Sequence, residues 1–198
     1  MNPPPEPPPT EVFSHVRAIV GIVIGLCISR LLTGVAQFLQ HKRKRELYAI
    51  HLTWIAFTLL TVVHFWWFEF YLRGNTVWNF EIYMFVIYYA ALHFLLAALL
   101  VPDNIYEYHD YREYFLSIRK YFFGLLAAFY LTDGVDTWIK GEEYFRSLGV
   151  EYPAQIFGFV ILSLFAIKTR NPTFHTIFAI GALIYETSFV LRKFAVLS

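Results

Sequence analysis

The sequence predicts an all-α fold, a polytopic bundle of about six membrane-spanning helices. Its 198 residues are 58% hydrophobic and only 16% charged, with a mean hydropathy of +0.49. Soluble domains contain about 45–50% apolar and about 25% charged residues. Long apolar runs recur along the chain, each close to the ~20 residues that a helix needs to cross ~30 Å of hydrocarbon. In lipid, an α-helix satisfies the hydrogen bonds of its own backbone. The alternation of apolar and polar residues that membrane strands show is absent from these runs.

Six apolar runs define the predicted spans, and short polar segments separate them. The spans cover about 17–39, 47–70, 79–101, 118–139, 150–167 and 173–191. Proline or basic residues mark several of their ends, as at Pro102 and at Pro172. The fourth run is the weakest because Arg119 and Lys120 open it. The longest linker, 102–117, is acidic and rich in tyrosine, and an interfacial helix lying on the membrane is one expectation for it.

The domain organisation is a short tail followed by one transmembrane domain. Residues 1–12 contain six prolines and are expected to be extended or disordered. They belong to a proline-rich tail, 1–16, which is expected to lie outside the cytoplasm. The rest, 17–198, forms the helical domain. No basic n-region precedes the first apolar run, so a cleavable signal peptide is not expected.

The distribution of basic residues predicts the orientation. The basic segment 42–45 belongs in the cytoplasm by the positive-inside rule. Six alternating spans then place nine Lys and Arg residues inside and six outside, with Arg30 within the membrane. Four tryptophans map to the outer boundary as an aromatic belt, namely Trp66, Trp67, Trp78 and Trp138. We expect the plasma (inner) membrane, with both termini extracytoplasmic.

Three ionisable residues fall at a similar predicted depth on three spans. At ~1.5 Å per helical residue, Arg30 lies ~18 Å, Asp133 ~20 Å and Glu186 ~21 Å from the cytoplasmic boundary. Asp136 lies one turn beyond Asp133 on the same face. A charge within a spanning helix costs about 2.5–3.5 kcal/mol and therefore seeks a partner or water. Since a guanidinium can bind two carboxylates, Arg30 is predicted to pair with Asp133, Glu186 or both. Gly34, one turn further, is expected to make room for that partner.

This intramembrane charge cluster has three interpretations. It can be an ion pair that only fixes the register of the helices. It can line a polar cavity, open to the outside, that binds or passes a proton or a cation. Alternatively, Arg30 reaches inward along the bilayer and Asp133 lies beyond a shorter or tilted helix.

Further polar residues are predicted at other depths. His64, Glu69 and Glu81 lie toward the outer surface, as an acidic vestibule or, for the two glutamates, as a solvated rim. His93 lies near the midplane. These residues give a weak case for zinc, which needs about four ligands, so no metal is predicted. Cys27 is the only cysteine and is expected to be a packed apolar side chain.

No cofactor is predicted, although haem b stays as a low-ranked alternative. His51 and His64 share a span but differ by roughly 220° around the helix. His64 and His93 differ by about 12 Å in predicted depth. The sequence also lacks a phosphate-binding glycine loop, an HExxH motif and a nucleophile elbow. We therefore expect no catalytic residues and favour a non-enzymatic role.

Two functional classes remain at similar rank. The first is a proton or cation conduit or transporter lined by the charge cluster. The second is a non-catalytic membrane subunit, assembly factor or scaffold of a larger membrane complex. The predicted partners are the lipid bilayer and either other proteins or further copies of the chain. The net charge of +1 gives no reason to expect nucleic acid.

Overall fold

The protein is all-α in the computed structural model, which describes residues 8–41, 48–74 and 78–193. The described helices are α1 (Pro9–His41), α2 (Ala49–Phe68), α3 (Phe80–Leu99), α4 (Tyr111–Ile139), α5 (Glu142–Ser147), α6 (Glu151–Lys168) and α7 (Pro172–Lys193). Short 3-10 turns follow α2 at Glu69–Gly74 and precede α4 at Ile105–Glu107. Within these ranges all helices except α5 are long and apolar enough to cross a membrane. The prediction of an all-α bundle with six spanning helices is confirmed.

The first helix begins earlier than the sequence indicated. α1 starts at Pro9, so residues 9–12, predicted to be extended or disordered, are helical, and α1 includes the predicted tail from residue 9 to residue 16. Proline is well suited to the first position of a helix, because its missing N–H would find no partner there. No further proline follows within α1. The remainder of the predicted tail, residues 1–7, lies outside the described residues.

The fourth helix also begins earlier, at Tyr111 instead of 118. The side chain of Asp110 accepts a hydrogen bond from the Glu113 amide at 2.7 Å, and the Glu113 carboxylate accepts one from the His109 amide at 2.6 Å. This reciprocal arrangement resembles a capping box, which starts a helix firmly. The interfacial helix expected within 102–117 is therefore wrong, because its second half forms the first turns of α4.

The six long helices form a closed ring. α1 packs on α3, α3 on α4, α4 on α6, and α2 on both α7 and α1. α2 also touches α3 and α4, whereas α6 and α7 contact each other only sparsely. We call the end where α1 begins and α7 ends the terminal end. The opposite one, which holds the 100–110 and 169–171 connections, is the basic end.

The two halves of the bundle have different interiors. Toward the basic end, Trp54 is fully buried, and the rings of Phe57, Phe122, Phe123 and Phe178 lie 5.1 to 5.4 Å from it, centroid to centroid. Edge-to-face contacts of this kind make a dense apolar layer. Toward the terminal end the interior is polar, and it contains most of the charged residues singled out above.

Candidate functional site

A small polar cavity lies in the terminal half of the bundle, enclosed by α2, α3, α4, α6 and α7. Its polar lining includes His64, His93, Asp133, Gln155 and Glu186. The space open to the centre of a water molecule is about 20 Å³, which is room for about one water. The structure thus brings four of the residues predicted from the sequence to one place.

Asp133, on α4, is held by two tyrosines from neighbouring helices. The Tyr89 hydroxyl of α3 donates to Oδ1 at 2.8 Å, and the Tyr152 hydroxyl of α6 donates to Oδ2 at 2.8 Å. The Tyr152 oxygen also lies 2.5 Å from the Thr137 hydroxyl, which is one turn further along α4. Neutral donors on both oxygens orient the carboxylate without neutralising its charge.

Glu186, on α7, is only 3% exposed and faces a histidine. Its Oε1 lies 3.1 Å from Nδ1 of His64 on α2, and its Oε2 accepts a hydrogen bond from the Gln155 amide at 3.2 Å. The contact joins an imidazole nitrogen to a carboxyl oxygen, and the tautomer of His64 determines which atom donates.

His93, on α3, completes the cavity wall and is 1% exposed. Its Nδ1 lies 3.0 Å from the backbone carbonyl of Tyr89, one turn earlier. Because a carbonyl only accepts, Nδ1 carries the hydrogen, and the neutral ring has a lone pair on Nε2. That nitrogen is buried and finds no hydrogen-bond partner within the described residues. His93 therefore presents a buried lone pair that lacks a donor among the described residues.

A second cluster lies next to the cavity, at the terminal end. Lys140 has a side chain that is 0% exposed, and its ammonium bonds Glu69 Oε1 at 2.7 Å and also Asp136, one turn before it. The same ammonium lies 3.5 Å from the ring centroid of Phe68. Burial lowers the pKa of Lys140, but the carboxylates of Asp136 and Glu69 outweigh burial and leave that pKa above its ordinary value. The lysine is therefore a permanent cation at neutral pH.

The predicted pairing of Arg30 with Asp133 or Glu186 is wrong. The Arg30 guanidinium instead donates to the Val101 carbonyl at 2.9 Å and pairs with Asp103, beyond the end of α3. The predicted depth of Arg30 referred to its backbone position. Its guanidinium lies elsewhere, because the long side chain reaches toward the basic end. Gly34 does make room for that partner, since a Cβ there would lie 2.6 Å from a Val101 methyl.

The residues of the predicted outer vestibule lie in different places in the structure. Glu69 is 3% exposed and bound to Lys140, so the solvated rim expected for it is wrong. His64 lies against Glu186 inside the cavity. Glu81 is exposed in the first turn of α3, where a carboxylate favours the helix N-terminus, and it is not part of the cavity.

Sequence reasoning missed Lys140, both tyrosines on Asp133, and Gln155. Lys140 falls in the polar segment just past the predicted fourth span, although Asp136 precedes it by four residues, the spacing of a helical ion pair. No sequence spacing indicated that the tyrosines and the glutamine would join this site, because they lie on other helices than the carboxylates they contact. Only the packing of α3 and α6 on α4 brings Tyr89 and Tyr152 to one carboxylate.

Metal and haem ligation have little support from the geometry. Across the described ranges, no three His, Cys, Asp or Glu side chains are grouped as metal ligands. His64 and His93 line the same cavity despite their different predicted depths, but that cavity has room for about one water and not for a porphyrin. His51 is separate, with Nε2 at 2.7 Å from the Leu100 carbonyl.

Comparison with known proteins gave no family model, no curated protein and no solved structure that matches this chain.

Proposed function

We propose that this chain is a proton-binding membrane protein, with the cavity and the adjoining lysine cluster as its loading site, and that it couples proton binding to transport. One observation carries the proposal. Glu69, Asp133, Asp136 and Glu186 bring four carboxylates into one buried region that contains a single lysine. Burying a charge without a partner costs several kcal/mol, so an excess of three negative charges demands positive charge from elsewhere.

In this proposal, bound protons supply that positive charge. Nδ1 of His64 faces the Glu186 carboxyl group at 3.1 Å, so a proton added to this contact offsets one negative charge. Asp136 Oδ1 is buried with no hydrogen-bond partner among the described residues, so it offers a further position. Chains of Asp, Glu and His within membranes are typical of proton relays.

The aromatic layer around Trp54 determines how protons could cross. This layer lies between the polar cavity and the basic end, and its rings pack edge to face at 5.1 to 5.2 Å, centroid to centroid. A proton bound at the cavity has to pass this apolar layer to reach the basic end. Transport in this proposal requires a second conformation in which the α2 and α7 rings separate from those of α4.

Infrared spectroscopy of the protein in lipid tests proton binding directly. Protonated carboxyl groups give a C=O band apart from that of carboxylates, so we expect a pH-dependent band in the wild type. Glu186→Gln and Asp133→Asn should each remove part of it. Glu143→Gln, at an exposed position of α5, is the matched control and should leave the band unchanged. A wild type whose buried carboxyl signal does not change across the titration would contradict the proposal.

Proteoliposomes test the transport step. A dye that reports internal pH should show proton uptake under an imposed membrane potential for the wild type and for Glu143→Gln. Glu186→Gln should reduce the uptake to the level of empty vesicles. Equal background flux in all three preparations would leave a binding site without transport, and would count against the coupling.

The second candidate is a structural subunit of a larger membrane complex. The observation in its favour is that Lys140 joins Glu69, directly after α2, to Asp136 on α4, a contact that holds two helices together. Under this alternative the charges hold the bundle together, and a protein partner should co-purify in fixed stoichiometry after mild solubilisation from native membrane. A chain that elutes alone would disfavour it.

The orientation, with both termini outside the cytoplasm, remains part of the proposal. Six spans place both ends on one side of the membrane, and the sole cysteine, Cys27, is buried. Single cysteines at exposed Glu143 and Arg112 therefore report each side without background. A membrane-impermeant maleimide should label position 143 but not 112 in intact cells, and the reverse pattern would invert the topology.

A further inference from the structure

The short helix α5 is an amphipathic segment at the terminal end of the bundle. Glu142, Glu143 and Arg146 are exposed on its outer side, whereas Tyr144 and Phe145 pack against the core. A helix of six residues is too short to be stable by itself. The position of α5 therefore depends on the contacts that its inner face makes.

That inner face covers the residues around the buried charges. The Tyr144 ring lies 5.8 Å from the ring of Phe68, which the Lys140 ammonium contacts. The Phe145 ring lies 5.8 Å from the ring of Tyr152, which lines the polar cavity. Lys140 directly follows α4, at the surface end of that helix, yet its side chain has no solvent exposure. The aromatic face of α5 thus closes this end of the lysine cluster.

A glycine with a positive φ flanks α5 on each side. Gly141 has φ 121° and ψ 149°, a backbone conformation that essentially only glycine adopts, and Gly149 has φ 73°. Every other residue that the structure describes has a negative φ. Because glycine moves between backbone regions at little cost, rotation at these two positions can lift α5 while α4 and α6 stay in place.

The closed position of α5 leaves one buried hydroxyl unsatisfied. The Tyr144 oxygen is buried and has no hydrogen-bond partner in the described part of the chain. A buried donor without an acceptor destabilises the state that contains it, and water satisfies that donor once α5 lifts. This cost lowers the free energy that opening requires. Segments that open for function are typically drawn from the least stable parts of a fold.

We propose that α5 is a lid, which turns about Gly141 and Gly149 and admits water from the terminal end to Lys140 and the carboxylates beside it. For its role the lid rests on the proton binding proposed above, because that water carries protons to and from the loading site. The aromatic layer around Trp54 lies on the other side of the cavity. Opening of α5 therefore controls the exchange of protons with the terminal side.

A buried thiol reports the opening of this lid. Thr137→Cys places a sulfur at a position of α4 with 0% exposure, one turn before Gly141, where the threonine hydroxyl lies 2.5 Å from that of Tyr152. The full-length protein in nanodiscs is treated with a small water-soluble methanethiosulfonate, and modification is followed by mass spectrometry. Cys27, also with 0% exposure, lies on α1 and reports unfolding of the whole bundle in the same sample.

Two variants should shift the lid in opposite directions. Gly141→Ala puts a side chain where the backbone strains it, so the thiol at position 137 should react about tenfold faster while Cys27 stays unmodified. Tyr144→Phe keeps the ring contacts and removes the unsatisfied hydroxyl, so the reaction should be about threefold slower. Gly124→Ala, at an open position of α4, is the matched control and should keep the original rate.

Three results would overturn the lid. They are equal rates in Gly141→Ala and Gly124→Ala, a faster reaction in Tyr144→Phe, and modification of Cys27 as fast as that of position 137. The infrared titration described above reports proton binding separately. Thiol rates that follow the expectation in a protein whose carboxyl band does not change with pH would support the lid and contradict only the proton site.

Discussion

Replacing Lys140 by methionine is the most direct perturbation of the buried charges. The ammonium serves both Glu69, at 2.7 Å, and Asp136, and its side chain has no solvent exposure. Removing one partner of a buried ion pair typically costs about 3–5 kcal/mol, because the remaining charge stays desolvated. Here two carboxylates lose their cation at once. We therefore expect Lys140→Met to destabilise the bundle by at least ~3 kcal/mol at neutral pH.

The pH dependence of that loss has a defined sign. In the wild type, the pKa of Lys140 is raised on folding, so its stabilisation is complete below the usual lysine pKa of ~10.4 and is lost only at higher pH. The variant must instead take up protons on its carboxylates when it folds. Its stability should therefore fall as pH rises through the acid and neutral range, where the wild type is unaffected by this group.

Unfolding in mixed micelles, followed by circular dichroism at increasing SDS, measures the free energy of unfolding. Lys120→Met is the matched control, since Lys120 is an exposed lysine of α4, the helix that Lys140 directly follows, and should change stability by no more than ~0.5 kcal/mol. Adding Glu69→Gln and Asp136→Asn to Lys140→Met should recover most of the loss, because neutral groups need no cation. If Lys140→Met unfolds like Lys120→Met, the argument from uncompensated buried charge fails.

Two further changes test the packing and the helix start. Gly34→Ala should cost ~1–3 kcal/mol of unfolding free energy, because its Cβ would lie 2.6 Å from a stiff Val101 methyl. Gly25→Ala is the control and should cost far less, since the space around Gly25 is open. Equal losses in the two variants would contradict the close approach of Gly34 to Val101. Asp110→Ala should cost ~1 kcal/mol by removing the cap of α4. The bond from the Glu113 amide lowers the pKa of Asp110, so its contribution is present above the usual ~3.9 and is lost as pH falls. Asp110→Asn should keep the cap and lack that acid dependence, and a loss in Asp110→Asn as large as in Asp110→Ala would refute the capping role.

The spans were predictable because each is determined by its own residues. Hydrocarbon accepts long apolar runs as helices whatever their neighbours are, and all six appear in the structure. The errors at the ends were local too. Pro9 and the Asp110–Glu113 cap are both sequence signals for a helix start. The proline-rich composition of the tail obscured the start of α1, and the basic residues Arg119 and Lys120 obscured the start of α4.

The partners of the charges were predictable only in part. Depth along the helix placed Asp133 and Glu186 near each other, and they do line one cavity. Depth did not specify rotation about the helix axis or the reach of a long side chain, which together sent Arg30 to Asp103. Depth also gave no reason to expect Lys140 in the buried cluster, because this residue lies just past α4 in a polar segment.

The sequence alone determined the class of solvent, the number of crossings and the presence of costly charges, since these follow from composition and from the length of each run. Tertiary structure alone decided which tyrosines hold Asp133, that His64 faces Glu186, and that Lys140 is buried. Those contacts join helices that are far apart along the chain. They arise from how α2, α3, α4, α6 and α7 pack together, and no single segment contains that information.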